Sequence, residues 1–258
     1  MRWHDHRGAA LCLALDSGLQ QSSRSRRLLL ALDAQDRPKQ QIEAAALLAA
    51  ALGARLEVLL LEDDDLLAAA ALPIMQEIFS ASAHTRELST AALEQALRAL
   101  STTAASGFRA VAGDGEGRFR VRRGPRDVAL EEAAAAVDLL LLPGRRGVLR
   151  FRMLPTPGVC AICGDSPAGL RTLELARRLS QQTGGPLTLV LAGLTEPTGA
   201  PYGRRQDFPA GTSLGQMLQA ADTRPGNVLL ISRDVATAGG RGPADQLASL
   251  RCEVLVVG

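Results

Sequence analysis

Aromatic side chains are scarce in this sequence and account for 3% of its 258 residues, with one tryptophan and one tyrosine. Few are available to stack on bases, and a formal net charge of +2 is too small to indicate nucleic acid or an anionic membrane as a partner. Short basic clusters, such as those within residues 118–126, are interpreted as solvated edges. No apolar run reaches the roughly 20 residues that span a bilayer, so no membrane insertion is expected.

Cysteine is also sparse, and four residues are too few for a disulfide framework in a chain of this length. A reducing cytoplasm is therefore the expected compartment. Cys160 and Cys163 form a CxxC motif, which is compatible with a redox pair or half of a metal site. Inside a predicted strand, however, a spacing of three sends the two side chains to opposite faces, which favours two buried thiols.

Catalytic motifs are missing as well. There is no Gly-x-Ser-x-Gly elbow and no Gly-x-x-x-x-Gly-Lys-Ser loop, and the only histidines are His4, His6 and His84. His84 lies in a polar stretch and is interpreted as a surface residue. We therefore expect no catalytic residues, no metal site and no enzymatic activity.

Residues 28–61 alternate between apolar runs and polar turns. An apolar run that ends at Asp33 is followed by a turn and by Ile42, Ala45 and Leu48 at helical spacing. Gly53 then precedes a second apolar run. Two buried strands joined by one crossover helix indicate a parallel sheet.

The same pattern returns at residues 159–192, where Gly184 takes the place of Gly53. This internal repeat predicts two parallel α/β domains. The predicted organisation is a flexible tail over residues 1–26, a first domain over 27–157 and a shortened second domain over 158–258.

Four consecutive acidic residues, Glu62 to Asp65, follow the second strand. Carboxylates are suitable ligands for a divalent cation, but the preferred interpretation is that these cap the next helix and favour its positive end. The next predicted elements are an amphipathic helix over residues 89–105, a strand over 118–122 with Phe119 and Val121 inward, a helix over 127–136 and a buried strand over 138–142.

A glycine turn, PGRRG, follows that last strand at its carboxyl end, where ligands bind in open α/β sheets. Its two glycines allow close approach of the backbone and its arginines can reach phosphate, although a plain turn also explains it. The second copy is predicted to contain a long loop over 195–212, a helix over 213–221, a strand over 227–232, a glycine turn over 239–242, a helix over 243–250 and a final strand over 253–257. The first copy lacks a clear version of the closing helix and strand.

Four segments of the chain resemble the universal stress protein family in a tandem, two-domain form: LLLALDAQD, VRRGP, DLLLLPGRRG and GPADQLASLRCEVLVV. The resemblance extends from about Arg27 to the C terminus and is poor from Asp63 to Thr103. It implies two tandem parallel-sheet domains that are Rossmann-like and similar to the adenine nucleotide alpha hydrolases.

In family members that bind ATP, an aspartate after the first strand contacts the nucleoside, and Gly-x-x-Gly followed by Gly-Ser or Gly-Thr cradles the phosphates. The resemblance assigns cofactor binding in the first copy to Asp33, Gly124, Gly144, Arg145, Arg146 and Gly147. Pro157-Gly158 stands where Gly-Ser is required, and in the second copy Gly164 replaces the aspartate and Gly242-Pro243 replaces Gly-Ser. The expected cofactor is therefore none, or ATP or AMP held weakly.

These degraded motifs favour a non-catalytic regulatory or scaffolding protein that acts through contacts with an unidentified protein partner. The unmatched segment over residues 62–105 is a candidate for the partner-binding face. The alternative is a stress sensor that binds ATP or AMP in the first repeat. Because the family usually dimerises through its last strand, the sequence also predicts a homodimer through Glu253 to Val257.

Overall fold

The computed structural model of this chain describes residues 26–34, 37–72, 76–78, 85–87, 89–112, 117–143, 157–194, 203–221, 223–238, 247 and 250–258, with only the backbone described at 76–78 and 85–87. The tail predicted for residues 1–26 lies outside this part, apart from Arg26. No helix in the described residues combines the length and the apolar character needed to cross a membrane.

Strands and helices alternate along most of the described chain. The strands are β1 (Arg26–Leu32), β2 (Ala54–Glu62), β3 (Gln76–Ile78), β4 (Thr85–Glu87), β5 (Arg118–Arg123), β6 (Leu139–Leu142), β7 (Val159–Gly164), β8 (Leu187–Ala192), β9 (Arg204–Phe208), β10 (Val228–Ser232) and β11 (Glu253–Val257). The helices are α1 (Pro38–Leu52), α2 (Asp64–Ala70), α3 (Thr90–Ala112), α4 (Arg126–Ala136), α5 (Pro167–Thr183), α6 (Leu214–Ala220) and α7 (Arg233–Thr237).

Nine strands form one sheet in the order β5-β2-β1-β6-β11-β10-β7-β8-β9. Every neighbouring pair is parallel except β6 and β11, which are antiparallel at the centre. We call β1, β2, β5 and β6 the first half, and β7 to β11 the second half. The α/β class predicted from the sequence is confirmed, and the strand order β5-β2-β1-β6 repeats as β9-β8-β7-β10.

Each half begins with the strand, helix and strand that the repeat predicts. Helix α1 ends at Gly53, whose φ of 63° is in the left-handed region, and α5 ends at Gly184 with a φ of 67°. Glycine adopts this conformation without the steric cost of a Cβ atom, which explains why a glycine recurs at both places. Ser166 caps α5 by accepting a hydrogen bond from the backbone N–H of Gly169.

The core lies on both faces of the sheet and continues across the two halves. One face is covered by α1, α3 and α5, and its buried side chains include Leu30 and Leu141 of the first half and Leu230 and Leu255 of the second. The other face is covered by α4, α6 and α7. Because apolar side chains of both halves belong to the same cluster on each face, we expect the halves to unfold together.

Strand β11 lies in the interior of the sheet. Leu255 is in register with Leu230 of β10 on one side and with Leu141 of β6 on the other. The predicted homodimer through Glu253 to Val257 is therefore wrong, because both edges of this strand are already hydrogen-bonded within the chain. β11 occupies the place beside β6 that a fifth strand of the first half would take.

Two local predictions also need correction. Residues 195–212 were expected to form a long loop, yet β9 pairs with β8 as the last strand of the sheet. Val121 was expected to point inward, yet it is 44% exposed, while Phe119 packs against Phe108 of α3. Both β5 and β9 are edge strands, which pair with one neighbouring strand only and whose side chains are incompletely covered.

Of the other elements predicted from the sequence, some helices are confirmed and some segments lie outside the described residues. The helices predicted over 89–105, 127–136 and 213–221 are confirmed as α3, α4 and α6, and α3 extends to Ala112. The glycine turn over 239–242 lies outside the described residues. So does the helix over 243–250, apart from Leu247 and Leu250.

Candidate functional site

The carboxyl ends of β1, β2 and β5 meet at one edge of the first half. Asp33 directly follows β1, Glu62 ends β2, and Gly124 directly follows β5. Because these strands are parallel neighbours, their ends are adjacent, and this is the edge at which open α/β sheets bind ligands. The sequence-predicted residues Asp33 and Gly124 are therefore brought to the same edge.

The turn after β5 is held against the end of β2. The backbone N–H of Gly124 donates a hydrogen bond of 3.1 Å to the carbonyl oxygen of Glu62. Gly124 has a φ of 140°, which disfavours any other residue. Arg123 adds an ion pair, with 3.4 Å between its Nε and Oε2 of Glu62. These contacts fix the position from which α4 begins.

Arg126, the first residue of α4, reaches across to Asp33. Its Nη2 lies 3.6 Å from Oδ2 of Asp33, and the two side chains are 33% and 34% exposed. The sequence analysis missed Arg126. A cation in the first turn of a helix is unfavourable beside the positive end of the helix dipole, so its position was a signal that a carboxylate lies nearby.

The guanidinium of Arg126 retains an unused donor. Its Nε atom is buried and makes no hydrogen bond to any described residue. A buried donor in this state is costly, and either a rearrangement or a ligand oxygen would satisfy it. The edge therefore presents one carboxylate and one guanidinium side by side.

The other four predicted site residues, Gly144, Arg145, Arg146 and Gly147, lie outside the described residues. They follow β6, which ends at Leu142. Their assignment to cofactor binding stays a prediction.

The equivalent edge of the second half has a different arrangement. Gly164, which ends β7, corresponds to Asp33 in the repeat, and a Cβ atom added to it would lie 2.5 Å from Oδ2 of Asp234. Asp234 belongs to α7, which begins directly after β10. The Asp234 carboxylate thus occupies the space where a side chain at residue 164 would begin. Sequence comparison of the two copies did not reveal this, because Asp234 lies far from Gly164 along the chain.

The CxxC cysteines point to opposite faces, as predicted. Cys160 belongs to the core cluster under α4, α6 and α7, whereas Cys163 belongs to the cluster under α1, α3 and α5. Burial is the main cause that raises the pKa of the Cys163 thiol to about 12. A thiol with this pKa is almost entirely protonated near neutral pH and is a poor nucleophile.

This burial predicts slow chemical modification. In a Cys12→Ser variant, which retains only the buried Cys160, Cys163 and Cys252, we expect no measurable reaction with Ellman's reagent at pH 8 in the folded state. All three thiols should react once denaturant is added. Rapid reaction of Cys163 in the folded protein would contradict the buried assignment.

The acidic run after β2 caps a helix, as predicted. Oδ1 of Asp63 accepts a hydrogen bond of 3.0 Å from the backbone N–H of Asp65, and Asp64 and Asp65 lie in the first turn of α2. Side-chain acceptors and negative charges both stabilise this end of a helix. No group of three or more possible metal ligands occurs among the described residues.

No protein-family model matches this chain, and neither does any curated protein. Solved structures do show similarity. A universal stress protein from Archaeoglobus fulgidus is 11% identical with a TM-score of 0.42, covering 89% of this chain and 95% of its own. A putative universal stress protein from Pseudomonas aeruginosa is 12% identical with a TM-score of 0.42, covering 90% and 93%. The cytoplasmic domain of a prokaryotic cation chloride cotransporter is 12% identical with a TM-score of 0.40, covering 90% and 95%.

Proposed function

We propose that this chain is a non-catalytic regulatory or scaffolding protein, built from two tandem universal-stress-protein-like repeats, that acts through contacts with other proteins. The observation that carries the proposal is the ion pair between Asp33 and Arg126. The carboxylate expected to contact a nucleoside already has a partner within the chain. The proposed setting is the cytoplasm, in agreement with buried cysteines that form no disulfide.

The ion pair alone has a modest effect on affinity. A pair that is one-third exposed contributes up to about 1 kcal/mol. A ligand that must break this pair in order to bind therefore loses at most about fivefold in affinity. The missing Gly-Ser has a larger effect. Loss of one or two phosphate-directed hydrogen bonds, at about 1.5–3 kcal/mol each, weakens binding by about tenfold to more than about ten-thousandfold.

The second half supports the same proposal by a different route. Asp234 lies over Gly164, so the repeat position of the missing aspartate is filled from a neighbouring element. Its carboxylate would also repel a nucleotide phosphate brought close to it. Each half therefore has its own obstacle to tight nucleotide binding.

A partner-binding face is proposed on the segment that separates β2 from β5. This segment includes α2 and α3, and Leu72, which follows α2, is 51% exposed. An exposed leucine beside short elements is compatible with a protein contact, and loops and insertions commonly carry such contacts.

The second candidate function is an adenine-nucleotide sensor. The buried, unused Nε donor of Arg126 favours it, because a phosphate or carboxylate oxygen beside Asp33 would satisfy that donor. In this case Arg126 would turn from Asp33 to the ligand.

Measurement of retained nucleotide separates the two candidates. Protein purified without added nucleotide is denatured, and the released small molecules are separated by anion-exchange chromatography. The scaffold proposal predicts only traces of adenine nucleotide from the wild type and from an Asp33→Ala variant alike. Stoichiometric nucleotide from the wild type that is lost in Asp33→Ala would favour the sensor.

A further inference from the structure

The two edges of the nine-stranded sheet differ in their charge pattern. β9 is the last strand on its side, and no described strand pairs with its outer edge. Such an edge exposes backbone N–H and C=O groups that can bind another strand. The opposite edge strand, β5, has the sequence RFRVRR, so two copies of it would bring arginines together. β9 has the mixed sequence RRQDF and lacks this protection.

The backbone groups of Arg205 and Asp207 point away from β8. In a parallel pair, every second residue of a strand directs both its N–H and its C=O to the same neighbour. Phe208 faces β8, because its carbonyl oxygen accepts a hydrogen bond of 3.0 Å from the N–H of Gly193, and it is in register with Ala192. The alternate residues Arg205 and Asp207 therefore offer two N–H and two C=O groups to a strand that is added at this edge.

A second copy of β9 that runs antiparallel to the first, about a twofold axis at Gln206, satisfies these groups. Arg205 then lies opposite Asp207 of the second copy, and the two residues exchange both N–H···O bonds. The symmetry repeats this pair on the other side of the axis. Residues opposite each other in such a pair present their side chains on the same face, with Cα atoms about 5.5 Å apart. Each guanidinium therefore faces a carboxylate.

The side chains on this face are already arranged as an ion pair within one chain. Nε of Arg205 lies 3.0 Å from Oδ1 of Asp207, whose side chain is 60% exposed and accessible to a second copy. In the paired arrangement two arginines and two aspartates alternate in sign, so each carboxylate lies between two guanidinium groups. On the other face Arg204 lies opposite Phe208 of the second copy, where a cation–π contact is available.

The neighbouring registers are less favourable. An axis at Arg205 places two arginines opposite each other and sets Asp207 against Gly203, whose N–H already donates to the carbonyl oxygen of Leu187. An axis at Asp207 places two aspartates opposite each other and sets Arg205 against Pro209, which has no N–H. Only the register described above combines opposite charges with complete backbone pairing.

We propose that this chain forms a twofold homodimer in which β9 pairs antiparallel with β9 of a second copy, centred on Gln206. The two nine-stranded sheets then join into one continuous sheet. This interface differs from the one predicted at Glu253 to Val257, because β9 is an edge strand and β11 is not. The proposal does not depend on the function proposed above.

Sedimentation velocity between about 1 and about 300 µM protein tests the dimer, since an interface of one short strand pair is small and its association is reversible. We expect the mass of the wild type to rise from that of a monomer to that of a dimer across this range. Arg205→Asp and Asp207→Arg each place like charges opposite each other. Each should weaken self-association at least about tenfold, with circular dichroism to verify folding.

A mixture of these two variants is the most specific test. Every opposing pair in the mixed dimer joins an aspartate to an arginine, so the mixture should associate although neither variant does so alone. The double variant Arg205→Asp/Asp207→Arg restores opposite charges in the same register and should associate with itself. Val121→Asp introduces a charge on the other edge strand, β5, and should leave the association of the wild type unchanged.

Three results would overturn the proposal. The first is a wild type that remains monomeric across the whole concentration range. The second is an Asp207→Arg variant that associates as strongly as the wild type, or a mixture of the folded single variants that remains monomeric. The third is loss of association in Val121→Asp, which would place the interface at β5.

Discussion

Substitution of Leu255 by alanine is expected to lower the free energy of unfolding by about 2–5 kcal/mol. Leu255 is fully buried in β11, between Leu141 and Leu230, and its truncation leaves a cavity in a core face shared by both halves. In a domain of this size the midpoint of thermal unfolding should fall by about 4–20 °C. Denaturant titration followed by circular dichroism measures the change.

The matched control is Val121→Ala, at the exposed edge strand β5. Because Val121 is only partly covered, its truncation should change stability by no more than about 0.5 kcal/mol. Both variants should unfold in a single transition, since each core face is continuous. Two separate transitions, of which Leu255→Ala shifts only one, would contradict the shared core.

The second large effect is expected at a buried carboxylate. Glu57 of β2 has a side chain that is 3% exposed, with its Oε2 2.9 Å from Nη2 of Arg120 and its Oε1 3.8 Å from Nη1 of Arg27. An Arg27→Ala/Arg120→Ala variant leaves this charge buried and unpaired. We expect the free energy of unfolding to fall by about 3 kcal/mol. This value is at the lower end of the range for buried ion pairs that lose one partner, because water reaches both arginines.

Removal of the carboxylate in place of the two arginines should lower the free energy of unfolding much less. Glu57→Leu leaves two arginines that are already about half exposed and can be hydrated, so its stability should stay within about 1 kcal/mol of the wild type. Addition of Glu57→Leu to the double arginine variant should restore most of the loss. If the triple variant is as unstable as the double variant, the arginines act through packing and not through charge.

The local elements were largely predictable because their signals are local. The buried strand before Asp33, the glycine that ends α1 and the acidic cap of α2 each depend on a few adjacent residues. The polar sequence RRQDF of β9 carries no such signal, because an edge strand needs backbone pairing and little apolar cover.

The arrangement of the halves and the contacts of the candidate site were not predictable in this way. Burial of β11 is compatible with a partner chain or with β6, and only the three-dimensional pairing distinguishes the two. The contact between Arg126 and Asp33 joins residues far apart in sequence, as does the placement of Asp234 over Gly164. Such pairs depend on which strand ends the topology brings together, and local sequence patterns do not reveal that.

We propose above that this protein does not bind adenine nucleotides tightly. Calorimetric titration of the nucleotide-stripped wild type with ATP, ADP and AMP tests it most directly, with Asp33→Ala as the matched variant and circular dichroism to verify folding. The expected result is a dissociation constant no tighter than about 10 µM, because the losses described above weaken a micromolar affinity by at least about tenfold. Micromolar binding to the wild type that disappears in Asp33→Ala would contradict the claim and establish a nucleotide sensor.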